Sequence, residues 1–427
     1  MIYFYRFIST TLYPFLILLI YFRKIIKKED PIRFKEKIFS TKFGVNIFNK
    51  NKLIWFHAAS IGEVQSIFPV IDKLSSSIQN SKFLITTITF SSGKLVQEII
   101  KNKKNVSHRY LPLDVSFLVK AFLDLWQPYA VFFVDSEIWP NFILNIKKRK
   151  VPLAIINGRI TSKTFKKWRM VPDTAKELFG SFNLILASNL ESKEYLKNLG
   201  SKNICNLGNI KFSNLINLND IKNNNDIILN NRKFWCAAST HKEEEKLCID
   251  VHLKLKDKIN NVLTIIIPRH INRSKNIKDV CDKSNLKSQI INRDQIILDE
   301  TEIVIINSFG VMQNYFKFAK SVFIGKSMIA RLKQDGGQNP ILAAKLGCKI
   351  YHGPYVYNFK EVYELLKKIY ISEQVLNKNE LFEKILKDLK TEKKDFFKSK
   401  EIIDNIGNKI LDETTEKINT FLKHESI

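Results

Sequence analysis

Cysteine is scarce and scattered in this chain. Five residues, Cys205, Cys236, Cys248, Cys281 and Cys348, occur in 427, with no C-x-x-C pair. That pattern supplies neither a zinc-ligand set nor a disulfide framework, and it fits a reducing compartment. No G-x-G-x-x-G follows a strand-like run, so the standard dinucleotide fingerprint is missing. No D-x-D pair occurs, and no divalent ion or other cofactor is expected to take part in the chemistry. His57 and Ser60 stand close together, but Ala58 breaks the G-x-S-x-G elbow and a hydrolase triad is set aside. RNP, zinc-finger and helix-turn-helix patterns are likewise missing, so nucleic acid is not an expected partner. This matters because the net charge is +27. The lysines are spread along the whole chain and travel with heavy Asn and Ile usage, as in a compositional bias. Such a surface still favours anionic partners, whether lipid, nucleotide or phosphorylated substrate.

What is present is organised around Leu53 to Leu74. Leu53-Ile54-Trp55-Phe56 reads as a buried strand, and Ala58 to Gly62 as a tight turn of small residues. From Glu63 onward, Val64, Ile67, Phe68, Ile71 and Leu74 recur at helical spacing. A strand, a turn and a helix opening on a carboxylate suit an open α/β sheet, whose ligand crevice lies at the strand's carboxyl end. Glu63 is also an ordinary first-turn acid by residue type alone.

Ahead of it, residues 1–22 are apolar apart from Arg6 and a few hydroxyls, close to the length that spans a bilayer. No cleavage site for a signal peptide follows. Arg23-Lys24-Ile25-Ile26-Lys27-Lys28 does, and the positive-inside rule places that flank in the cytoplasm. Pro14 and Arg6 leave open a helix that lies along the interface. The expected organisation is a membrane anchor over 1–25 and a Rossmann-like domain over 26–215. An Asn-rich linker over 216–232, a second Rossmann-like domain over 233–405 and a C-terminal helix over 406–427 complete it. Strand-like runs at 83–89, 130–134, 153–156 and 184–187, separated by helical patterns, predict a parallel sheet in the first half. Runs at 234–238, 263–267, 303–306 and 321–325 predict another in the second.

Several strand ends carry polar clusters. Asp135-Ser136-Glu137 closes the 130–134 strand and reads either as a crevice pair of acids or as a cap for the next helix. Asn157-Gly158-Arg159 follows the next strand, and Gly208-Asn209-Ile210-Lys211-Phe212 ends the first half. Ser239-Thr240-His241 precedes Glu243-Glu244-Glu245, a composition that suits a phosphate-binding helix start and equally a capping box. Pro268-Arg269-His270 ends a very apolar strand, where an arginine calls for an anionic partner. Gly336-Gly337-Gln338-Asn339-Pro340 precedes a helix expected to begin near Ile341.

Together these stretches resemble the 3-deoxy-D-manno-octulosonic acid (Kdo) transferases of lipopolysaccharide assembly. H-A-A-S-I-G-E, D-S-E-I-W-P-N, N-G-R-I-T-S-K-T-F, L-G-N-I-K-F, A-S-T-H-K-E-E-E, P-R-H, G-G-Q-N-P and H-G-P-Y-V-Y-N-F follow one another in that family's order. The resemblance implies a GT-B architecture of two Rossmann-like domains with an N-terminal membrane-anchor helix. It implies an inverting transfer of Kdo from CMP-Kdo to a lipid A precursor (lipid IVA), with the catalytic domains on the cytoplasmic face of the inner membrane. Glu63 matches the general base, and Asp135 and Lys211 match residues that stabilise the transition state. Pro268, Arg269, Phe309, Gly310, Val311, Asn339, Pro340, Ile341 and Leu342 match the CMP-binding stretches. Departures are few. Asp135 stands where the family usually has Glu, Leu342 where it has an acid, and Lys326 where it has a glycine. The alternatives are a GT-B transferase using another nucleotide sugar, and a degenerate, non-catalytic membrane-associated relative.

Overall fold

The computed structural model describes residues 1–39, 52–214, 216, 218, 221–332, 336–391 and 397–424. It divides into two units, Met1–Asn214 with Ile406–Ile427, and Leu215–Asn405.

The first unit is built on seven parallel strands: β1 (Leu53–His57), β2 (Lys82–Thr87), β3 (Val106–Tyr110), β4 (Ala130–Val134), β5 (Leu153–Gly158), β6 (Leu184–Ala187) and β7 (Ile204–Asn206). Their spatial order is β3-β2-β1-β4-β5-β6-β7. Helices cover both faces, so the inner strands are apolar throughout; all five residues of β4 are buried. Trp55 anchors one face, its ring 5.1 Å from Phe122 and 5.5 Å from Phe142. The strand order reverses between β1 and β4, whose registers pair His57 with Phe133. In open α/β sheets a ligand crevice lies outside the carboxyl ends of such a pair.

The second unit repeats the plan with β8 (Phe234–Thr240), β9 (Leu263–Pro268), β10 (Ser288–Ile291), β11 (Ile303–Ile306), β12 (Ser321–Ile324), β13 (Lys349–His352) and β14 (Ser372–Gln374). All are parallel, in the order β10-β11-β9-β8-β12-β13-β14, and the reversal falls between β8 and β12. Of the Asn-rich stretch expected to link the halves, residues 217, 219 and 220 lie outside the described residues, and 221–232 are folded onto this unit. They carry a short helix, Asp226–Asn231. Asn225 accepts from the Ile297 amide at 2.7 Å and donates to the Gln295 carbonyl at 3.0 Å. Side-chain amides replace backbone partners there, so polarity does not mean a free tether.

Two terminal segments complete the first unit. The expected apolar helix is two helices, Ile2–Thr11 and Tyr13–Ile25, bent by 58°. Pro14, in the first turn of the second helix, lacks the N–H that would continue the first and crowds the carbonyl four residues back. Among the described residues no single helix is long and apolar enough to cross a membrane, although the bent pair passes that test by length and composition. Polar side chains tie the pair to the body. The Tyr5 hydroxyl donates to Asp114 at 2.8 Å, Arg6 to Asn141 at 3.3 Å, and the Tyr13 hydroxyl to the Ile38 carbonyl at 2.6 Å. Behind them Glu29 is buried between Arg23 and Lys37.

At the other end, a long helix spans Phe397–His424, starting earlier than position 406. From Ile406 on it belongs to the first unit. Asp412 pairs with Lys73, the Tyr129 hydroxyl donates to the Leu422 carbonyl at 3.1 Å, and Phe421 meets Phe132 edge-on. The closest approach is at Gly407, where a Cβ would lie 2.1 Å from the Phe212 carbonyl oxygen. That carbonyl belongs to the turn Ile210–Ser213, which carries Lys211. Gly407→Ala should therefore push helix and turn apart, with a destabilisation of about 1–3 kcal/mol of the overpacking kind. A thermal melt measures it; an unchanged midpoint would show that the helix is not held at this contact.

Candidate functional site

The small-residue turn after β1 exists to present Glu63. Ser60 caps the helix Ile61–Ser77, its Oγ accepting from the Glu63 amide at 3.4 Å and donating to Glu63 Oε1 at 2.6 Å. Glu63 Oε2 accepts from the Ala59 amide at 2.8 Å. The carboxylate thus closes its own helix start through the N-cap hydroxyl and the amide before it, a variant of the capping box. Glu63 is nevertheless a special acid. It is buried to 9 % exposure. Its pKa is raised chiefly by that burial and next by the Asp135 charge, with Glu137 adding to the rise and the Ser60 hydrogen bond and Lys211 opposing it.

Asp135 follows β4, across the strand reversal from β1. Its φ is +63°, in the left-handed region that Asp and Asn enter more readily than Glu. This accounts for the departure from glutamate: the shorter acid suits the backbone. The shorter reach costs no contact, because Lys211 Nζ donates to Asp135 Oδ2 at 2.6 Å. The two side chains are only 15 % and 13 % exposed. Asp135 does not cap the next helix. That helix, Pro140–Lys148, is capped instead by Asp114, which accepts from the Asn141 and Phe142 amides at 3.0 Å each. Burial pushes Asp114 up to about 6, against the pull of those same bonds.

Lys211 is placed by two asparagines that sequence reasoning left without a role. Asn157, at φ +58°, accepts from the Ile210 amide at 3.1 Å. Asn209 accepts from the Lys211 amide at 3.0 Å and so starts the turn. Both lie in stretches singled out above, but nothing in their spacing distinguishes a positioning amide from a solvated one. The structure thus gathers Glu63, Asp135 and Lys211 at the β1–β4 reversal. A carboxylate of raised pKa beside a fixed cation–carboxylate pair can take a proton from a hydroxyl while the cation meets developing negative charge.

In the second unit the remaining candidates leave the carboxyl ends of neighbouring strands. Pro268 ends β9, and the Arg269 amide donates to the Thr240 carbonyl at 3.1 Å. The Arg269 side chain is exposed, and its guanidinium has no hydrogen bond or ion pair among the described residues. Phe309-Gly310-Val311 follows β11. Phe309 is exposed, Gly310 has φ +73°, and Val311 is buried. Asn339 accepts from the Ile341 amide at 3.0 Å, so its carbonyl serves the short helix Ile341–Lys345, with Pro340 as the N-cap. Leu342 is half-buried in that helix and offers no polar side-chain atom.

The helix start at His241 is not an open anion site. Glu244 reaches back to the His241 amide at 3.1 Å and also accepts from the amides of Lys326, Ser327 and Met328 at 2.7, 2.8 and 3.0 Å. The capping-box reading holds, and one carboxylate fills the amide cluster at the β8–β12 reversal. Lys326, in the place of a glycine, has φ +58°, which is why a glycine would suit it.

Comparisons with known proteins agree with this layout. A family model described as 3-Deoxy-D-manno-octulosonic-acid transferase (kdotransferase) matches residues 33–214. The 3-deoxy-D-manno-octulosonic acid transferase of Rickettsia bellii is 30% identical over 352 residues, 82% of each chain. Among solved structures, a putative UDP-N-acetylglucosamine 2-epimerase from Listeria monocytogenes superposes with a TM-score of 0.59 at 12% identity, covering 87% of this chain and 97% of that one. A glycosyltransferase from Rickettsia africae does so with a TM-score of 0.53 at 14% identity, covering 88% and 99%. These two structures speak for the fold alone, the two-sheet GT-B architecture.

If Asp135 helps to raise Glu63, removing its charge must lower the acid limb of the pH–rate profile. A base works only when deprotonated, so a raised pKa sets that limb above the ordinary glutamate range. Asp135→Asn removes the second largest cause of the rise and leaves the opposing Lys211 charge unpaired. The limb of kcat/KM should therefore move to lower pH, even as the maximal rate falls. A limb that stays in place or moves up would remove Asp135 from this role.

Proposed function

Because the chain belongs to the 3-deoxy-D-manno-octulosonic acid (Kdo) transferase family, a family of glycosyltransferases, we propose a complete assignment. It transfers Kdo from CMP-Kdo to a hydroxyl of a lipid A precursor, lipid IVA, in lipopolysaccharide core assembly, inverting the anomeric centre. The observation that carries the chemistry is the Lys211–Asp135 pair set beside a buried Glu63 of raised pKa.

Glu63 takes the proton from the attacking sugar hydroxyl as its oxygen forms a bond to the anomeric carbon of Kdo. The bond from that carbon to the CMP phosphate oxygen breaks, and CMP leaves with the electron pair. Lys211, held in place by Asp135, Asn157 and Asn209, supplies fixed positive charge for the negative charge that develops. In the second unit, the exposed Arg269 guanidinium, which has no ion pair among the described residues, suits the CMP phosphate, and the Phe309–Val311 and Asn339–Leu342 segments line the nucleotide. Leu342 gives up one polar contact of the family pattern, which lowers donor affinity without touching the proton transfer.

The setting is the cytoplasmic face of the inner membrane. Tyr3, Phe4, Phe7, Phe15, Leu18 and Phe22 are all more than half exposed on the N-terminal helix pair, whereas Tyr5, Arg6 and Tyr13 turn inward to the protein. Lys24, Lys27 and Lys28 follow. An outward apolar face with a basic flank, tied to the body by polar side chains, favours a helix pair lying in the interface over one that crosses it. An acceptor lipid in the same membrane is then within reach of the site.

Two measurements test the assignment. Mass spectrometry of lipid IVA incubated with CMP-Kdo should show products heavier by whole Kdo units. Glu63→Ala should lose at least about a hundredfold in rate, as removal of a general base does. No Kdo adduct from folded protein with lipid present would favour the degenerate relative. In flotation with vesicles, Phe4→Glu combined with Phe15→Glu should weaken binding at least about tenfold. Binding that persists would move the membrane contact elsewhere.

A further inference from the structure

One group at the β1–β4 reversal has no part in the scheme above. His57, the last residue of β1, has no exposed side-chain surface, yet it lies against Glu137, whose side chain is 20 % exposed. His57 Nε2 is 3.4 Å from Glu137 Oε2, and the Trp139 indole donates to the same oxygen at 2.8 Å. On the other side of the ring, Nδ1 is 2.9 Å from the Thr86 hydroxyl. The Trp55 indole donates to that hydroxyl at 2.8 Å, and the Thr86 carbonyl oxygen lies 3.2 Å from Nδ1. A carboxylate can only accept, so the hydrogen bond from His57 to Glu137 needs a proton on Nε2, while the hydroxyl can donate to or accept from Nδ1. Trp55, Thr86 and His57 thus form a hydrogen-bonded chain from the core to one oxygen of Glu137. Its other oxygen, Oε1, has no hydrogen-bond partner among the described residues.

This cost in buried polarity is unnecessary for the fold. An apolar residue at position 57 would pack against Phe133 and Trp139, whose rings already flank the imidazole at 5.6 and 6.3 Å. What the hydrogen-bonded chain accomplishes is orientation: it pins Oε2 and leaves Oε1 available beside Glu63. The charged groups around Glu63 are Asp135 and Glu137 from the segment after β4 and Lys211 from the Ile210–Ser213 turn. Asp135 is spent on Lys211. Among the described residues, Glu137 is the one of the three that is neither paired with a lysine or arginine nor bonded at both oxygens, since both oxygens of Glu63 are bonded within its own capping turn.

We propose that Glu137 is a second acceptor-side carboxylate, whose Oε1 receives a hydrogen bond from a hydroxyl of the acceptor sugar, and that His57 is the positioning residue that fixes it through Thr86. The proposal rests on the transferase reading and adds a specificity element to it. Glu63 removes a proton; Glu137 orients the sugar that carries it.

The test is steady-state transfer by the full-length protein, varying lipid IVA and CMP-Kdo separately. Glu137→Gln should raise the acceptor KM about tenfold, the loss of one charge-assisted hydrogen bond, and leave the donor KM within twofold. His57→Asn keeps a polar atom toward Thr86 but loses the Nε2 donor, and it should shift acceptor KM in the same sense. His57→Gln places an amide N–H near the Nε2 position and should recover most of the loss, a rescue that a purely structural histidine would not give. In the Glu137→Gln background, His57→Asn should add less than twofold, because both act through one hydrogen bond. Should the His57 variants fail to fold, Thr86→Val is compared with Thr86→Ser, which retains the hydroxyl. Only the valine should raise acceptor KM. Wild-type turnover with Glu137→Gln unchanged in acceptor KM, or with fully additive His57 and Glu137 effects, overturns this inference alone. A wild-type protein that transfers no Kdo overturns the functional reading and this inference with it.

Discussion

Everything at the first sheet's mouth depends on one ion pair. Lys211 and Asp135 are both nearly buried, and neither charge is tolerable there without the other. The pair therefore forces an arrangement of backbone around it. Asp135 takes a left-handed conformation to point its carboxylate inward, and Asn157 does the same to hold the turn that carries Lys211. The turn in turn is backed by the C-terminal helix at Gly407. Elements from four places in the sequence, residues 53–63, 130–157, 209–213 and 406–424, are thereby fixed around a single N–H···O contact of 2.6 Å. A site whose cation is immobilised before substrate arrives needs little reorganisation when charge develops, and that is where electrostatic catalysis gains most.

The first half of the chain was open to reading because its strands are long, apolar and buried on both faces. Leu53–Phe56 and Ala130–Val134 announce themselves, and so does the helix behind Glu63 with its regular apolar spacing. The edge strands did not. β3 is V-S-H-R-Y, β7 is I-C-N and β14 is S-E-Q, three to five residues each with polar members, and their pairing comes from the neighbouring strand rather than from local preference. The N-terminal stretch read as one helix, without the break that Pro14 makes, and the inward bonds of Tyr5, Arg6 and Tyr13 join residues far apart in sequence.

The candidate site divides along the same line. Glu63, Asp135 and Lys211 could be named from motif resemblance, and the structure brings them together. Their supports could not. Asn157, Asn209 and His57 each sit inside a recognised motif, yet their roles depend on which amide or carboxylate folds against them. The Ser239–Glu245 stretch shows the converse. Its composition allowed two readings with equal force, and only the four amides converging on Glu244 decide that the carboxylate of the chain itself fills the place.

The return of the C-terminal helix to the first unit sets an order on biosynthesis. Residues 1–214 leave the ribosome first and contain Glu63, Asp135 and Lys211, but the surface beneath the Lys211 turn stays uncovered until residues 406–424 have been made. A truncated or still-growing chain has the first sheet without its final buttress. The finished site thus waits on completion of synthesis, and a prematurely ended product lacks the brace that keeps its cation in register.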